Sequence, residues 1–394
     1  MVPDMTNRVA APSVPLTACE FFAGGGLAGL GLSRGLAGFD TIFANDIDPM
    51  KARAFRANHA GTRLAEGDVW DLTPADIPGT PDLCWASSPC QDVSLAGARG
   101  GLKAVRSGAF WGFWKLMQGL DLEGRAPRII VIENVAGLLT SGEGADFEAV
   151  CAAMVEAGYR VGALEMDAAL WLPQSRPRLF VVAMRGVEGP TAAAPSGPFH
   201  TPRLIAAHAR LSDAVQTNWA WWALTPPPRR NLDLSTVLEA RVPVFTQAQT
   251  KTLLAMLSPL HRARLDAVLA SGERRVGAAF RRVRTLDGVK HQRLELRFDG
   301  LAGCLRTPSG GSSRQYVLIC DKGRVTMRRL TGREAARLMG VSDDYALPTS
   351  ESAALKLMGD AVAVPVVEAL TRQLFEPALG VQDMGVEADG AVAA

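Results

Sequence analysis

An α/β fold, with a mostly parallel sheet covered by helices, is what three features of this sequence predict. Short apolar runs alternate with stretches of helical spacing over residues 16–185. A glycine cluster closes the first of those runs. The composition, 48% hydrophobic and 21% charged, belongs to an ordinary globular chain. At 394 residues there is room for two domains and a well-buried core.

Leu16 to Phe22 is the first apolar run; it ends in Ala23-Gly24-Gly25-Gly26, and Leu27 to Leu36 then has helical spacing. Thr41 to Ala44 reads as a second strand and Pro49 to Asn58 as its helix. Pro81 to Ala86 and Arg128 to Ile132 are the third and fourth strands. Leu179 to Met184 is another, after the extended Trp171-Leu172-Pro173. Residues 186–230, rich in Ala, Pro and Gly and with consecutive prolines at 226–228, mark a change to irregular loops and short elements. Helical periodicity returns at Thr331 to Met339 and at Ala353 to Phe375. The expected organisation is a discontinuous main domain over 16–185 and 326–376, with a smaller, irregular domain over 186–325. Residues 1–15 and 380–394 read as disordered tails.

No apolar run reaches the length of a membrane span, and the N-terminus lacks the basic start and apolar block of a secretory signal. A cytoplasmic location is the expectation. The cysteines at 19, 84, 90, 151, 304 and 320 include no CxxC pair, and the five histidines have no ligand spacing. Neither a metal site nor a disulfide framework is predicted. The net charge of +2 hides an asymmetry: residues 186–326 hold 20 Lys and Arg against 10 Asp and Glu, and the remainder 22 against 30. The basic residues are densest from Arg274 to Arg297. Such a segment fits a polyanion, nucleic acid above all, or is simply a solvated face.

Chemistry concentrates at predicted strand ends. The glycine turn and Asp46, at the end of the second strand, suit a nucleoside cofactor, with the carboxylate on ribose hydroxyls. A plain tight turn, or a dinucleotide dehydrogenase, would use the same pair of features. Gly67-Asp68 adds a carboxylate for an adenine amino group, or a surface cap. Ser87-Ser88-Pro89-Cys90-Gln91 follows the third strand and puts Cys90 where open α/β sheets bind ligands, able to become a thiolate. An isolated cysteine also reads as structural. The strand Ile129 to Ile132 ends in Glu133-Asn134-Val135, and Gln174-Ser175-Arg176-Pro177-Arg178 enters the next with two guanidinium groups. A sulfur nucleophile, a carboxyl acid and arginines at one sheet edge are what electrophilic activation of an aromatic ring requires. Trp219, Trp221 and Trp222 read as a local core rather than a base-stacking device.

In this order the motifs resemble those of the cytosine-5 DNA methyltransferases. Phe21-Phe22-Ala23-Gly24-Gly25-Gly26, Asn45-Asp46-Ile47-Asp48 and Gly67-Asp68-Val69 are similar to the family's cofactor motifs, and Pro89-Cys90-Gln91 to its nucleophile motif. Glu133-Asn134-Val135 resembles the acid motif and Gln174-x-Arg176-x-Arg178 the arginine motif. Arg329-Leu330-Thr331-Gly332-Arg333-Glu334, with Arg337-Leu338-Met339-Gly340, resembles the penultimate motif, and Gly359-Asp360-Ala361-Val362 the last. One departure is visible: the last motif usually has Asn where this chain has Asp360.

The resemblance implies a Rossmann-like methyltransferase sheet, with 186–325 as the target-recognition domain, and S-adenosylmethionine as cofactor. It implies that Phe22, Gly24, Gly26, Asp46, Ile47, Asp68, Val69, Pro89, Ala361 and Val362 bind that cofactor. Cys90 would attack carbon 6 of cytosine and Glu133 would engage ring nitrogen 3. Arg176, with Arg178 as a second candidate, would orient the base and stabilise charge on its carbonyl oxygen. Asn134 would hold the Glu133 and Cys90 loops together. The base must be flipped out of the stack, and the loop Ser94 to Ser107, with Arg99 and Arg106, would close over it. The expected partner is duplex DNA, bound by a monomer without a metal. An RNA cytosine methyltransferase, an amino-methyltransferase and a non-catalytic DNA-binding homologue are the competing readings.

Overall fold

The computed structural model describes residues 15–89, 108–286, 288–307 and 314–381. Cys90 and the loop expected at Ser94 to Ser107 lie outside the described residues. So do the expected tails, apart from Pro15, Gly380 and Val381.

Up to Met184 the chain builds one sheet. Its elements are β1 (Leu16–Phe21), α1 (Leu27–Leu32), β2 (Phe39–Asp46), α2 (Pro49–Asn58), β3 (Arg63–Glu66), β4 (Leu83–Ala86), α3 (Ala109–Leu122), β5 (Ile129–Asn134), α4 (Ala145–Glu156), β6 (Arg160–Asp167) and β7 (Pro177–Met184). The strand order is β3-β2-β1-β4-β5-β7-β6. From β3 to β5 the neighbours are parallel, and β7 runs antiparallel to both β5 and β6. The central strands β4 and β5 are buried along their whole length, which is why they read as unbroken apolar runs.

Alternate side chains of these strands enter opposite layers. Leu83, Trp85, Ile129 and Val131 pack with Leu27 and Leu32 of α1; Cys84, Ala86, Ile130 and Ile132 pack with Phe110 and Phe113 of α3 and Phe147 of α4. Each large side chain buried this way contributes about 1.5–3 kcal/mol. Helix α2 begins where the sequence places it because Asp48 caps it, accepting from the Met50 and Lys51 N–H groups, with Pro49 in the first turn. The sequence reading passes over β3, α3, α4 and β6. β3 is four residues long with polar residues at both ends, and α3 is apolar nearly all round, so neither has a clear period.

Beyond Met184 the described elements are β8 (Thr191–Ala192), α5 (Pro202–His208), α6 (Asp213–Thr217) and β9 (Trp221–Trp222), then α7 (Gln247–Leu254), α8 (Pro259–Ala270), β10 (Arg275–Leu286), β11 (Val289–Arg297), β12 (Gln315–Asp321) and β13 (Arg324–Arg329). As far as residue 246 they are short, as expected. The region around Trp222 also packs on the main sheet: Ala220 N–H donates to the Val161 carbonyl at 2.7 Å, and Trp222 Nε1 donates to the Val182 carbonyl at 3.2 Å. Trp219 and Trp222 are buried, Trp219 with Trp221 in the layer of α3 and α4 and Trp222 in the opposite layer, so these side chains are divided between the two main cores and do not form one local core. From residue 247 the structure is more regular than the sequence suggests. Two helices cover an antiparallel sheet of order β11-β10-β12-β13, and β13 runs across the boundary expected at 325/326.

The chain then forms α9 (Gly332–Leu338), α10 (Glu351–Asp360) and α11 (Val364–Leu370). The continuous periodicity over 353–375 is therefore broken at Ala361, which is extended, and Pro365 lies in the first turn of the next helix. No described helix is long and apolar enough to cross a membrane.

Candidate active site

The carboxyl ends of β1, β2, β4 and β5 open onto a cavity of about 490 Å³, a volume suited to a cofactor. On one side lies the glycine turn. Phe22 and Gly24 have left-handed backbones, φ 56° and 58°, and the Gly24 N–H donates to Asp46 Oδ2 at 2.8 Å. Asp46 Oδ1 accepts from the Asp48 N–H, also at 2.8 Å, so this carboxylate is fixed by backbone on both oxygens. Ile47 beside it is 64% exposed and lends the cavity an apolar wall. Ala361 and Val362, in the break between α10 and α11, close the cavity from the far end of the sequence.

On the other side lie Pro89, Glu133 and Arg178. Glu133 is the penultimate residue of β5, and Arg178 is the second residue of β7, its antiparallel neighbour. Arg178 Nε stands 3.0 Å from Glu133 Oε1, and both side chains are largely buried. Asn134 Nδ2 donates to the Ser88 carbonyl at 3.1 Å, tying the end of β5 to the segment that precedes Cys90. An amide can do this because its NH2 donates to a backbone oxygen while its own oxygen accepts the Val135 N–H.

Arg176 is not brought to this cavity. It is 1% exposed, and its guanidinium donates to the carbonyls of Leu305, at 3.0 Å, and of Gly359, at 3.0 Å, and to that of Ala361. Burial, then the charge of Arg178, lowers its pKa to about 10. The expectation that Arg176 orients a base is thus corrected: it clamps the 305 and 359–361 segments to the main sheet. Period-two spacing failed here because Arg176 precedes β7, its N–H instead donating to Asp167 Oδ1 at 2.6 Å. Gly26, Asp68 and Val69 do not line the cavity either. Gly26 caps α1 with φ 80°, and a Cβ there would come within 2.3 Å of His59 Nε2. Asp68 caps a short turn through the Trp70 N–H, and Val69 is buried in the core beneath α3.

The sequence reading also missed lining residues. Glu20 is buried beneath the glycine turn and accepts from Gly29 N–H at 2.9 Å and Ala28 N–H at 3.3 Å. Burial, only partly offset by those two donors, pushes its carboxyl up to about 8. A lone acid inside an apolar run was its available signal. Lys51 and Lys356 left none, because lysines on helix faces look solvated. Here Lys51 Nζ lies 2.8 Å from Asp360 Oδ2, and Lys356 pairs with Asp48, so two ion pairs join α2 to α10 at the cavity. Among the described residues no group of His, Cys, Asp and Glu is placed to hold a metal ion.

A family model described as C-5 cytosine-specific DNA methylase matches residues 16–376. The chain is 25% identical to the type II methyltransferase M.NgoBI of Neisseria gonorrhoeae over 350 residues, covering 89% of this chain and 90% of that one. It is 24% identical to the type II methyltransferase M.HpaII of Haemophilus parainfluenzae over 379 residues, covering 91% and 89%. Among solved structures, the S. pombe Dnmt2 methyltransferase matches with a TM-score of 0.58 at 17% identity, covering 92% of this chain and 99% of that one. The Entamoeba histolytica methyltransferase EhMeth matches with a TM-score of 0.57 at 14% identity, covering 93% and 99%. At these identities the structural matches support the fold.

Proposed function

The chain belongs to the C-5 cytosine-specific DNA methylase family and is a DNA cytosine-5 methyltransferase; on that premise we propose that it methylates a cytosine flipped out of duplex DNA, through a covalent bond to Cys90. The observation that carries this reading is the Glu133–Arg178 pair in one cavity with the glycine turn and Pro89, the residue before Cys90.

The residues around the cavity fit S-adenosylmethionine. Asp46 is held where ribose hydroxyls can reach its remaining lone pairs, Ile47 offers an apolar face to a ring, and Phe22 and Gly24 allow close approach of the backbone. When bound, this cofactor supplies an electrophilic methyl group. Cys90 would form a sulfur–carbon bond at carbon 6, moving the ring's double-bond electrons so that carbon 5 becomes nucleophilic. Glu133 would share a proton with ring nitrogen 3 as negative charge develops there. Arg178 holds the Glu133 carboxylate in place and would face the base carbonyl oxygen. After carbon 5 takes the methyl group and loses its proton to a base, the sulfur–carbon bond breaks and the ring double bond returns. Asn134 fixes the relative position of the acid and the Cys90 segment.

Duplex DNA containing 5-fluorocytosine gives a direct test, because fluorine at carbon 5 blocks the elimination. With cofactor present, a denaturation-resistant protein–DNA adduct is expected, and Cys90→Ser should not form it. An adduct that survives the substitution would remove Cys90 from the mechanism.

Asp360 calls for a separate measurement. Its carboxylate pairs with Lys51 at the cavity, where a partly exposed ion pair is worth about 0.2–1 kcal/mol. Asp360→Asn is therefore expected to change cofactor affinity by no more than about fivefold, and the change should shrink in high salt. Calorimetric titration at two ionic strengths measures both.

A further inference from the structure

We infer that His59 and Tyr345 are positioning residues for the cofactor: from two separate segments they lock the Gly25–Gly26 peptide of the glycine turn. This rests on the reading of the cavity as an S-adenosylmethionine site and names what holds that site in shape.

The turn needs holding. Phe22, Gly24 and Gly26 all have left-handed backbones, at φ 56°, 58° and 80°. For Phe22 that conformation is strained, and strained backbone persists only where its surroundings fix it. Asp46 fixes the first half of the turn through the Gly24 N–H. In the second half, the peptide between Gly25 and Gly26 has no Cβ on either side to resist rotation of its plane. Its N–H closes the turn by donating to the Ala23 carbonyl at 2.8 Å, and Gly26 caps α1. A rotated peptide would open that bond and change the entry of α1.

The Gly25 carbonyl, on the same peptide, is gripped by two side chains. Tyr345 Oη donates to it at 2.6 Å, and His59 Nε2 stands 3.1 Å from it. A carbonyl only accepts, so the histidine nitrogen facing it carries the proton. Burial pushes the Tyr345 hydroxyl above its ordinary value and the His59 ring below its own. At neutral pH the first is therefore an intact hydroxyl and the second a neutral imidazole. The His59 ring lies against Phe55, with centroids 4.6 Å apart. A Cβ at Gly25 would collide with the Tyr345 hydroxyl, and one at Gly26 with the His59 ring.

The two donors are also tied to each other. His59 follows the last residue of α2, and Tyr345 lies in the segment after α9. Asn58 joins these segments: its Nδ2 donates to the Ala346 carbonyl at 3.0 Å, and its Oδ1 accepts the Ala346 N–H at 2.7 Å. Arg333 of α9 donates to the Tyr345 carbonyl at 2.9 Å. Neither His59 nor Tyr345 lines the cavity, so their effect on the cofactor runs through the Gly25 carbonyl.

The test uses the full chain, with calorimetric titration of S-adenosylmethionine and methyl transfer to plasmid DNA at varied cofactor concentration. Tyr345→Phe and His59→Leu should each weaken cofactor binding about three- to tenfold. Together they should weaken it by more than the product, since the buried carbonyl then loses both donors. KM for the cofactor should rise in step, while kcat at saturating cofactor stays within about twofold, because neither group meets the reacting atoms. His59→Gln keeps an N–H donor at similar reach and should retain wild-type affinity. Tyr159→Phe is the control: the Tyr159 hydroxyl donates to the Pro127 carbonyl at 2.7 Å, a bond of the same kind at the opposite edge of the sheet from the turn. It should lower the denaturation midpoint as Tyr345→Phe does and leave cofactor affinity unchanged. Wild-type affinity in Tyr345→Phe would overturn the inference. So would equal weakening in Tyr159→Phe, or a His59→Gln protein as weak as His59→Leu. If Tyr345→Phe does not fold, the comparison of His59→Leu with His59→Gln decides. If the wild-type protein binds no S-adenosylmethionine, the cofactor reading itself fails, a distinct result seen before any variant is compared.

Discussion

Glu133→Gln is expected to lower methyl transfer by about 10²- to 10⁴-fold while cofactor affinity stays within about twofold, since uniform binding is not what this carboxyl supplies. Glutamine keeps the size and one acceptor but cannot share a proton with the base. The prediction depends on the 3.0 Å contact with Arg178, which aims the carboxyl into the cavity. Arg178→Ala should therefore reduce kcat in the same direction, and combining the two should cost less than the sum, because they act as one unit. Single-turnover transfer of a labelled methyl group measures these rates. A Glu133→Gln protein with wild-type single-turnover rate would discard Glu133 as a participant in the chemistry.

Arg176→Ala should fail in another way. The loss falls on stability, by about 3–5 kcal/mol, because several buried carbonyls lose their donor at once and a cavity is left. Chemical denaturation should show a clearly lower midpoint for Arg176→Ala than for Arg178→Ala. Cofactor binding should weaken with it, since Ala361, one of the clamped residues, lines the cavity. If Arg176→Ala instead denatures like wild type and only transfer is lost, this arginine belongs to the chemistry after all.

The contrast between these arginines shows what could be read from the residues alone. Two guanidinium groups at alternate positions before an apolar strand pointed to the right segment. Which of them reaches the cavity depended on Asp167 capturing the Arg176 N–H and on carbonyls from residues 305, 359 and 361, all distant in sequence. Asp46 was legible because it ends a strand, where parallel sheets gather ligand contacts. Asp68 has the same appearance in the sequence and, like Asp46, accepts a local N–H two residues on, yet only Asp46 lines the cavity. Short acids at strand ends serve both purposes, and only the packed geometry separates them.

Local pattern determined a good deal unaided. Unbroken apolar runs demanded a sheet buried on both faces, the glycine turn demanded left-handed backbone after β1, and Asp48-Pro49 started α2. Those are consequences of sterics and hydrogen bonding within a few residues. Tertiary structure alone decided the rest: the Glu133–Arg178 pairing through an antiparallel neighbour, the Lys51–Asp360 and Lys356–Asp48 ties, and the burial of Glu20. Each joins groups far apart along the chain, and their energies depend on distance and burial in three dimensions, which a linear order of residues does not contain.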